Sequence, residues 1–375
     1  MRKTYRLRLE VLSAVYIGSG QSLSRINYIL EEGRIRVFDH AAFFAKHPEL
    51  LEAFERDLLE FYRSFHLKTW MKKNGVTEEE YASALIYDID APDLNRPETI
   101  FTFVRDGWGR PYIPGSSLKG ALITALTTVA LLKSTKRQEY RKTFKDLLRI
   151  DNPGQFRHRA RSLNAAIMRD LWDTKIRVTG GDTRGRGASG ILVSDSTPLD
   201  NTAVLRLSQK SDIDLDNQLQ LLAAHRECLC PGMAVEFSLT LDTKLLPETM
   251  GLANLEDLFE KLGEQQKLLY GEEGVRRRQA YTADYLPSMP EAIADHPHGL
   301  LLLGGGAGFE TKTVLAALAE DAAEAVALTW PMLSLLFGRM RHQHSAGDAI
   351  SPRNLKLSAS HLGGKLMGFC ALHQV

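Results

Sequence analysis

The sequence predicts an α+β fold built mainly on antiparallel sheet, and three observations carry that reading. Short segments that alternate at a period of two, such as residues 5–11 and 234–241, are interspersed with longer stretches whose apolar residues recur at helical spacing. The two kinds of segment follow one another without the strand–helix–strand rhythm of a parallel sheet. The 375 residues, 44% hydrophobic and 25% charged, have a globular composition. At about 100–200 residues per domain, that length suffices for two domains.

Residues 5–11 read as a half-buried strand leading into Ile17-Gly18-Ser19-Gly20. Segments 28–30 and 35–37 flank Glu31-Glu32-Gly33-Arg34, whose glycine permits the positive φ of a hairpin connection. From 41 to 73, Phe43, Phe44, Leu50, Leu51, Phe54, Leu58, Leu59 and Tyr62 recur at helical spacing, and Thr77-Glu78-Glu79-Glu80 puts acids at the start of a further helix. This is a helical insertion. Segments 100–104 and 111–113 read as strands around an Asp106-Gly107 turn, before Gly115-Ser116-Ser117 opens a helix over 118–132. Helices follow at 136–149, 157–172 and 212–228, the last ended by Pro231-Gly232. The glycine-rich basic stretch 180–187 reads as a loop that is mobile or wrapped on a ligand. Segments 191–193, 204–207 and 234–241 read as strands and 255–270 as an amphipathic helix. An apolar strand at 298–303 is delivered into Gly304-Gly305-Gly306-Ala307-Gly308, and 365–372 closes the chain. A boundary near residues 195–207 gives domains 1–200 and 201–375.

Composition narrows the function. No apolar run approaches the about 18–20 uncharged residues of a membrane helix, and Met1-Arg2-Lys3 leads into an alternating segment, so a cytoplasmic protein without a membrane partner is expected. Cys228, Cys230 and Cys370 provide neither a disulfide framework nor a four-thiolate zinc site. His342-Gln343-His344 has no carboxylate or cysteine near it to complete a metal site, so no metal or other cofactor is expected. Charge balances at 47 basic against 46 acidic residues, yet residues 133–186 hold 15 Lys or Arg against 6 Asp or Glu. Such a concentration suits phosphate neutralisation, which releases condensed counterions, although a solvated helical face competes with that reading.

The most informative string is Gly109-Arg110-Pro111-Tyr112-Ile113-Pro114-Gly115-Ser116-Ser117-Leu118-Lys119-Gly120. It describes a strand end, a proline stop and a helix whose first turn offers free N–H groups, two hydroxyls and a lysine: a phosphate seat. An ordinary serine cap with Lys119 in solvent is the competing reading. A Walker A loop is excluded, because Gly120 is followed by Ala121-Leu122 where that loop has Lys and Ser or Thr.

The part of that string from Tyr112 to Leu122 resembles the signature of the RAMP proteins of type III CRISPR effector complexes. Tyr16-Ile17-Gly18-Ser19-Gly20, the string from Leu303 to Thr313 and Ile350-Ser351-Pro352-Arg353-Asn354-Leu355-Lys356-Leu357 add to the resemblance. Their order and spacing are similar to those of the two-domain subunit that caps the filament of the type III-A Csm complex at the 3′ side of its CRISPR RNA (crRNA). The repeated backbone subunit is a poorer match, since more than ninety residues separate Gly20 from Pro114 here. The resemblance implies two RRM-like, ferredoxin-type domains with the helical insertion in the first. It implies a non-catalytic RNA-binding subunit that supports crRNA maturation and antiviral defence. It also implies partners: crRNA, the backbone subunit, the small helical subunit, target RNA and host nucleases that trim the RNA 3′ end.

On this basis the expected RNA contacts are Gly18, Ser19, Arg110, Gly115, Ser116, Ser117, Lys119, Arg184, Arg186, Gly304, Gly305, Gly306, Lys312, Arg353 and Lys356. Glycines without side chains would let an RNA backbone approach closely. For histidine chemistry, no spacing pairs His158, His342, His344 or His361 with a second catalytic group, so no catalytic residue is assigned. A ribonuclease that trims or cleaves RNA, and a protein-only scaffold, remain as alternatives. Asp106 reads as a turn residue.

Overall fold

Alternation in the opening segment places Leu7, Leu9 and Val11 on one face of the first strand, where all three are buried, and that strand sets the layout of its sheet. The computed structural model describes residues 1–62, 64–94, 96, 98–178, 181–200, 202–278, 294–338 and 345–375. The strands are β1 (Arg2–Val11), β2 (Gly18–Leu23), β3 (Tyr28–Glu31), β4 (Arg34–Phe38), β5 (Leu85–Asp90), β6 (Thr99–Phe103), β7 (Asp173–Val178), β8 (Gly181–Arg186), β9 (Ile191–Val193), β10 (Leu205–Ile213), β11 (Leu219–Leu229), β12 (Ala234–Asp242), β13 (Leu300–Leu302), β14 (Leu355–Leu357) and β15 (Phe369–Gln374). The helices are α1 (His40–Lys46), α2 (Leu51–Glu60), α3 (Leu67–Lys73), α4 (Glu78–Ala82), α5 (Gly115–Lys133), α6 (Arg137–Leu147), α7 (Pro153–Trp172), α8 (Leu255–Tyr270), α9 (Glu272–Arg278), α10 (Leu315–Leu318) and α11 (Ala322–Phe337).

One sheet has the order β13-β15-β1-β12-β9 and is antiparallel throughout. The other runs β2-β6-β11-β10-β5-β4-β3, with β14 also on β10, and is parallel only at β5/β10 and β6/β11. The α+β architecture is as expected. Both large sheets take strands from both sides of residue 200, unlike the β7–β8 pair: β1 and β9 lie with β12, β13 and β15, while β2 to β6 lie with β10, β11 and β14. Segments 1–200 and 201–375 are therefore interwoven. Alternation identifies a strand but not its neighbour, so this weaving has no local signal.

Helix α5 is apolar on most sides because α6, α7, α8, α10 and β9 all pack on it. The insertion, α1 to α4, falls between β4 and β5 and has its own core of Phe43, Phe54, Trp70 and Met71. Its last helix opens with a capping box, in which the Thr77 N–H donates to the Glu80 carboxylate at 2.7 Å.

Three expectations need correction. Residues 212–228 form no helix; they complete β10, turn, and run as β11. Leu219–Leu229 is rich in Leu, Ala, Gln, Glu and Arg, all good helix formers, and pairing with β10 and β6 overrides that propensity. The basic stretch after residue 180 is not a loop in its backbone: β8 pairs with β7 along its whole length. Residues 111–113 do not form a ladder strand; Pro111 bridges to Arg105, and the segment is held by hydrogen bonds to residues 196–199.

The second sheet closes around one carboxylate. Glu227 on β11 is fully buried and accepts hydrogen bonds from the Tyr87 hydroxyl (2.8 Å), the Phe103 N–H (2.8 Å) and Arg105 Nη2 (3.2 Å). The Arg105 guanidinium lies 3.9 Å from the Tyr87 ring centre. Burial raises the Glu227 pKa, against the pull of Arg105 and its other donors. Removing one member of such a buried pair costs about 3–5 kcal/mol. Glu227→Ala should therefore lower the urea midpoint by that equivalent, whereas a loss below about 1 kcal/mol would show that the three strands do not depend on it.

Candidate functional site

Two glycine strings meet at Tyr16. The Gly305 N–H donates to the Tyr16 carbonyl at 2.7 Å, and Gly304, at φ +83°, brings its backbone so close to that carbonyl that a Cβ would collide with it. A Cβ at Gly305 would strike the Tyr16 ring, at Gly306 the Met367 side chain, and at Gly18 the Tyr16 hydroxyl. Gly304, Gly305 and Gly306 let one segment of the protein approach another, whereas Gly18 makes room for the Tyr16 side chain two residues before it. Ser19 is likewise engaged, with its hydroxyl 2.6 Å from that of Thr102.

Beside this junction Lys312, expected from the sequence, joins two cations that sequence reasoning missed, Arg226 and Lys210. Arg226 on β11 is only 9% exposed, its guanidinium sits 5.2 Å from the Tyr16 ring centre, and its Nη1 reaches the Met367 sulfur at 3.7 Å. Lys210 on β10 extends over the Phe101 ring at 5.4 Å, and Phe101 pairs with Arg226 across β6 and β11. Burial and the charges of Arg226 and Lys356 lower the Lys210 pKa, against the weaker pull of Asp212. Burial and Arg226 lower that of Lys312, whose side chain is exposed yet lies against a cavity wall. Among the described residues, no carboxylate lies within ion-pair distance of Lys210, Arg226 or Lys312. Three like charges with two aromatic rings thus form a site in which no cation has a carboxylate paired to it among the described residues.

The cavity holds about 870 Å³ and brings together Gly305, Gly306, Lys312, Arg353 and Lys356. Its lining also carries carboxylates. Asp212 binds Lys356 and Asp216 binds Arg353 (3.4 Å), while Asp214 closes the β10–β11 turn by accepting the N–H groups of Asp216 and Gln218. Arg353 and Lys356 are therefore matched within the chain, and the uncompensated charge lies with Lys312, Lys210 and Arg226.

The predicted phosphate seat is partly filled. Residues 194–199 run beside 111–115, placing the Ser194 carbonyl where a Cβ of residue 115 would be, so only glycine fits there. Asp195 then accepts the Gly115 N–H at 2.8 Å, and Pro114 accepts that of Ser117 at 2.9 Å. The Ser116 and Ser117 hydroxyls and half-buried Lys119, which makes no ion pair among the described residues, remain at the helix start. Arg110 is held by Asp106 (2.9 Å) and Asp200 (3.5 Å). Arg184 and Arg186 lie on β8, with side chains outside the described residues.

The basic segment divides in two. Lys136 pairs with Asp170 of α7 (2.6 Å), whereas the pairs of Lys133 with Glu264 (2.7 Å), Lys145 with Glu324 (2.6 Å) and Arg141 with Glu320 and Glu324 fasten α5 and α6 to the C-terminal half. Arg157, Arg159 and Arg161 on α7 and Lys142 on α6 are exposed and make no ion pair among the described residues.

The fold and its strings define a class. The sequence profile of the RAMP superfamily matches residues 8–279, and the chain belongs to that superfamily. Within it, the chain is similar to the CRISPR system Cms protein Csm5 of Streptococcus thermophilus, with 26% identity over 332 residues, covering 83% of this chain and 80% of that protein. It is 26% identical over 339 residues to the Csm5 protein of Mycobacterium tuberculosis (strain ATCC 25618 / H37Rv), covering 83% of each. Solved structures share the fold. A chain of a cryo-EM Csm–crRNA–target RNA ternary complex from a type III-A CRISPR-Cas system superposes with a TM-score of 0.66 at 20% identity, covering 99% of this chain and 100% of that one. The crystal structure of T. onnurineus Csm5 gives 0.64 at 18% identity, covering 97% and 99%.

Two outcomes follow from these charges. Burial raises the Glu324 pKa, but hydrogen bonds from Arg141, Lys145 and the Glu320 N–H bring it from 4.5 down to about 2. A carboxylate depressed by folding stabilises fully above its unfolded pKa and loses that contribution as pH falls toward the folded one. Glu324→Gln should lower the melting midpoint at pH 7, and the difference from wild type should shrink as pH drops from about 5 toward 2. Inorganic phosphate should raise the wild-type midpoint, and Arg226→Met should reduce that rise without itself destabilising the protein, as differential scanning fluorimetry would measure.

Proposed function

We propose that the chain is the Csm5-type subunit of a type III-A CRISPR effector complex, a non-catalytic protein that binds the 3′ region of crRNA. In this reading it caps the filament of backbone RAMP subunits and supports crRNA maturation and antiviral defence. Its further partners are the small helical subunit, target RNA and host nucleases that trim the RNA 3′ end. The observation that carries the reading is the uncompensated group Lys210, Arg226 and Lys312, set against Tyr16 and Phe101. A phosphodiester supplies the missing anion, and aromatic rings beside it suit unpaired bases. The exposed cations of α6 and α7 add long-range attraction for RNA of any sequence.

The geometry gives the ribonuclease reading little to work with. Both ring nitrogens of His361 are engaged, Nδ1 by Asp93 and Nε2 by the Leu207 carbonyl, each at 2.8 Å. His225 is buried against Glu98 at 3.3 Å, and burial lowers its pKa. His158 is exposed on α7, and His342 and His344 lie outside the described residues.

The test is a titration of pure protein into end-labelled crRNA, with and without Mg²⁺, on native and denaturing gels in parallel. A shift with intact RNA is expected. Arg226→Gln and Lys119→Ala should each weaken it about tenfold, equivalent to ~1.4 kcal/mol, at every sequence tried. RNA shortening that persists through further purification would replace the reading with a nuclease, and absence of any shift would favour a protein-only scaffold.

A further inference from the structure

The turn that follows β6 holds an indole in water. Trp108 is 82% exposed, while Trp70 and Trp172 are buried and Trp330 is half-buried. Its exposure is built, because the Asp106 carboxylate accepts the N–H groups of Trp108 and Arg110 and Nε of Arg110, each at 2.9 Å. Gly109, at φ +79°, closes the turn with a backbone conformation that side chains strain to adopt. At its base Arg105 donates to the Gly109 carbonyl (3.2 Å) and to buried Glu227 (3.2 Å), the residue next to Arg226. The turn is thus fastened to the strand that carries the buried cation.

The chemistry of the tip is specific. Arg110 lies over the Trp108 ring at 5.2 Å, and its charge is already met by Asp106 and Asp200, so this arginine offers a stacking plane and not a phosphate contact. Its sequence neighbours Asp106, Gly107, Gly109 and Arg110 are polar or lack a side chain, a setting that suits a base better than an apolar protein surface. One planar ring beside a guanidinium matches one planar base. The same strand leads from Phe101, which lies under Lys210, to this turn.

We propose that Trp108 is a stacking platform for one unpaired nucleobase of the bound RNA, with Arg110 and Asp106 holding the ring in place. The inference rests on the RNA-binding reading above. Stacking on an aromatic side chain is worth about 1–3 kcal/mol per base and tolerates any base, as a guide of variable sequence requires.

The experiment titrates single-stranded RNA into the full-length protein while tryptophan emission is recorded, with Trp108→Ala and Trp108→Phe in parallel. RNA should quench the wild-type emission. Trp108→Ala should abolish that quenching and weaken binding about 5- to 150-fold, Trp108→Phe should keep most of the affinity, and circular dichroism should be unchanged in both. Wild-type affinity in Trp108→Ala, with no quenching in wild type, would overturn the stacking assignment and leave the RNA-binding reading standing. Intact RNA affinity with lost attachment to the backbone RAMP subunit would assign Trp108 to a protein contact instead. No RNA binding by the wild type would remove both readings.

Discussion

Two adjacent residues of β11 point to opposite faces of the sheet and have opposite fates. Glu227 faces inward and is met by three donors from β5, β6 and Arg105, so the parallel contact between β6 and β11 forms around a neutralised charge. Arg226 faces the other way and meets a tyrosine ring and a methionine sulfur. Such contacts return about 0.5–2 kcal/mol against a desolvation cost of several kcal/mol for a buried ion. The strand that Glu227 fixes therefore carries a charge that the folded chain leaves uncompensated, and Lys210 and Lys312 add to it.

The glycine strings explain how the chain reaches that arrangement. Gly304, Gly305 and Gly306 bring distant segments together at Tyr16 and Met367, the two residues that cover Arg226. Gly115 does the same where residues 194–199 cross the start of α5. In each case the missing side chain makes room for the protein's own atoms, and the polar site forms beside the contact. The internal ion pairs of α6 follow the same division: Arg141 and Lys145 hold α11 through Glu324, leaving the cations of α7 facing solvent.

Much of the fold is legible in the sequence wherever the signal is local. The hairpin around Gly33, the insertion helices, the strand 234–241 and the helix 255–270 all follow from period, caps and turn residues. The site is less legible. Leu219–Leu229 is composed of helix formers and becomes a strand only because β10 and β6 flank it, so Arg226 and Glu227 carried no visible signal. Helix propensity and strand pairing point in opposite directions there. Lys312, Lys356, Arg353 and the glycines lie in strings that mark the family, yet their partners depend on long-range register. The strings locate the junction, and the geometry alone separates the residues that build it from the cations that remain unmatched.

The central claim is that an RNA backbone supplies the anion that Lys210, Arg226 and Lys312 lack. Its most direct test is the salt dependence of RNA affinity for wild type and for the combined Lys210→Gln, Arg226→Gln, Lys312→Gln variant. For single strands the logarithmic slope is about −0.7 per phosphate neutralised, so loss of three contacts should flatten it by about two. A flattening of that size, with the fold intact by circular dichroism, is the predicted result. Parallel slopes for the two proteins would contradict the account.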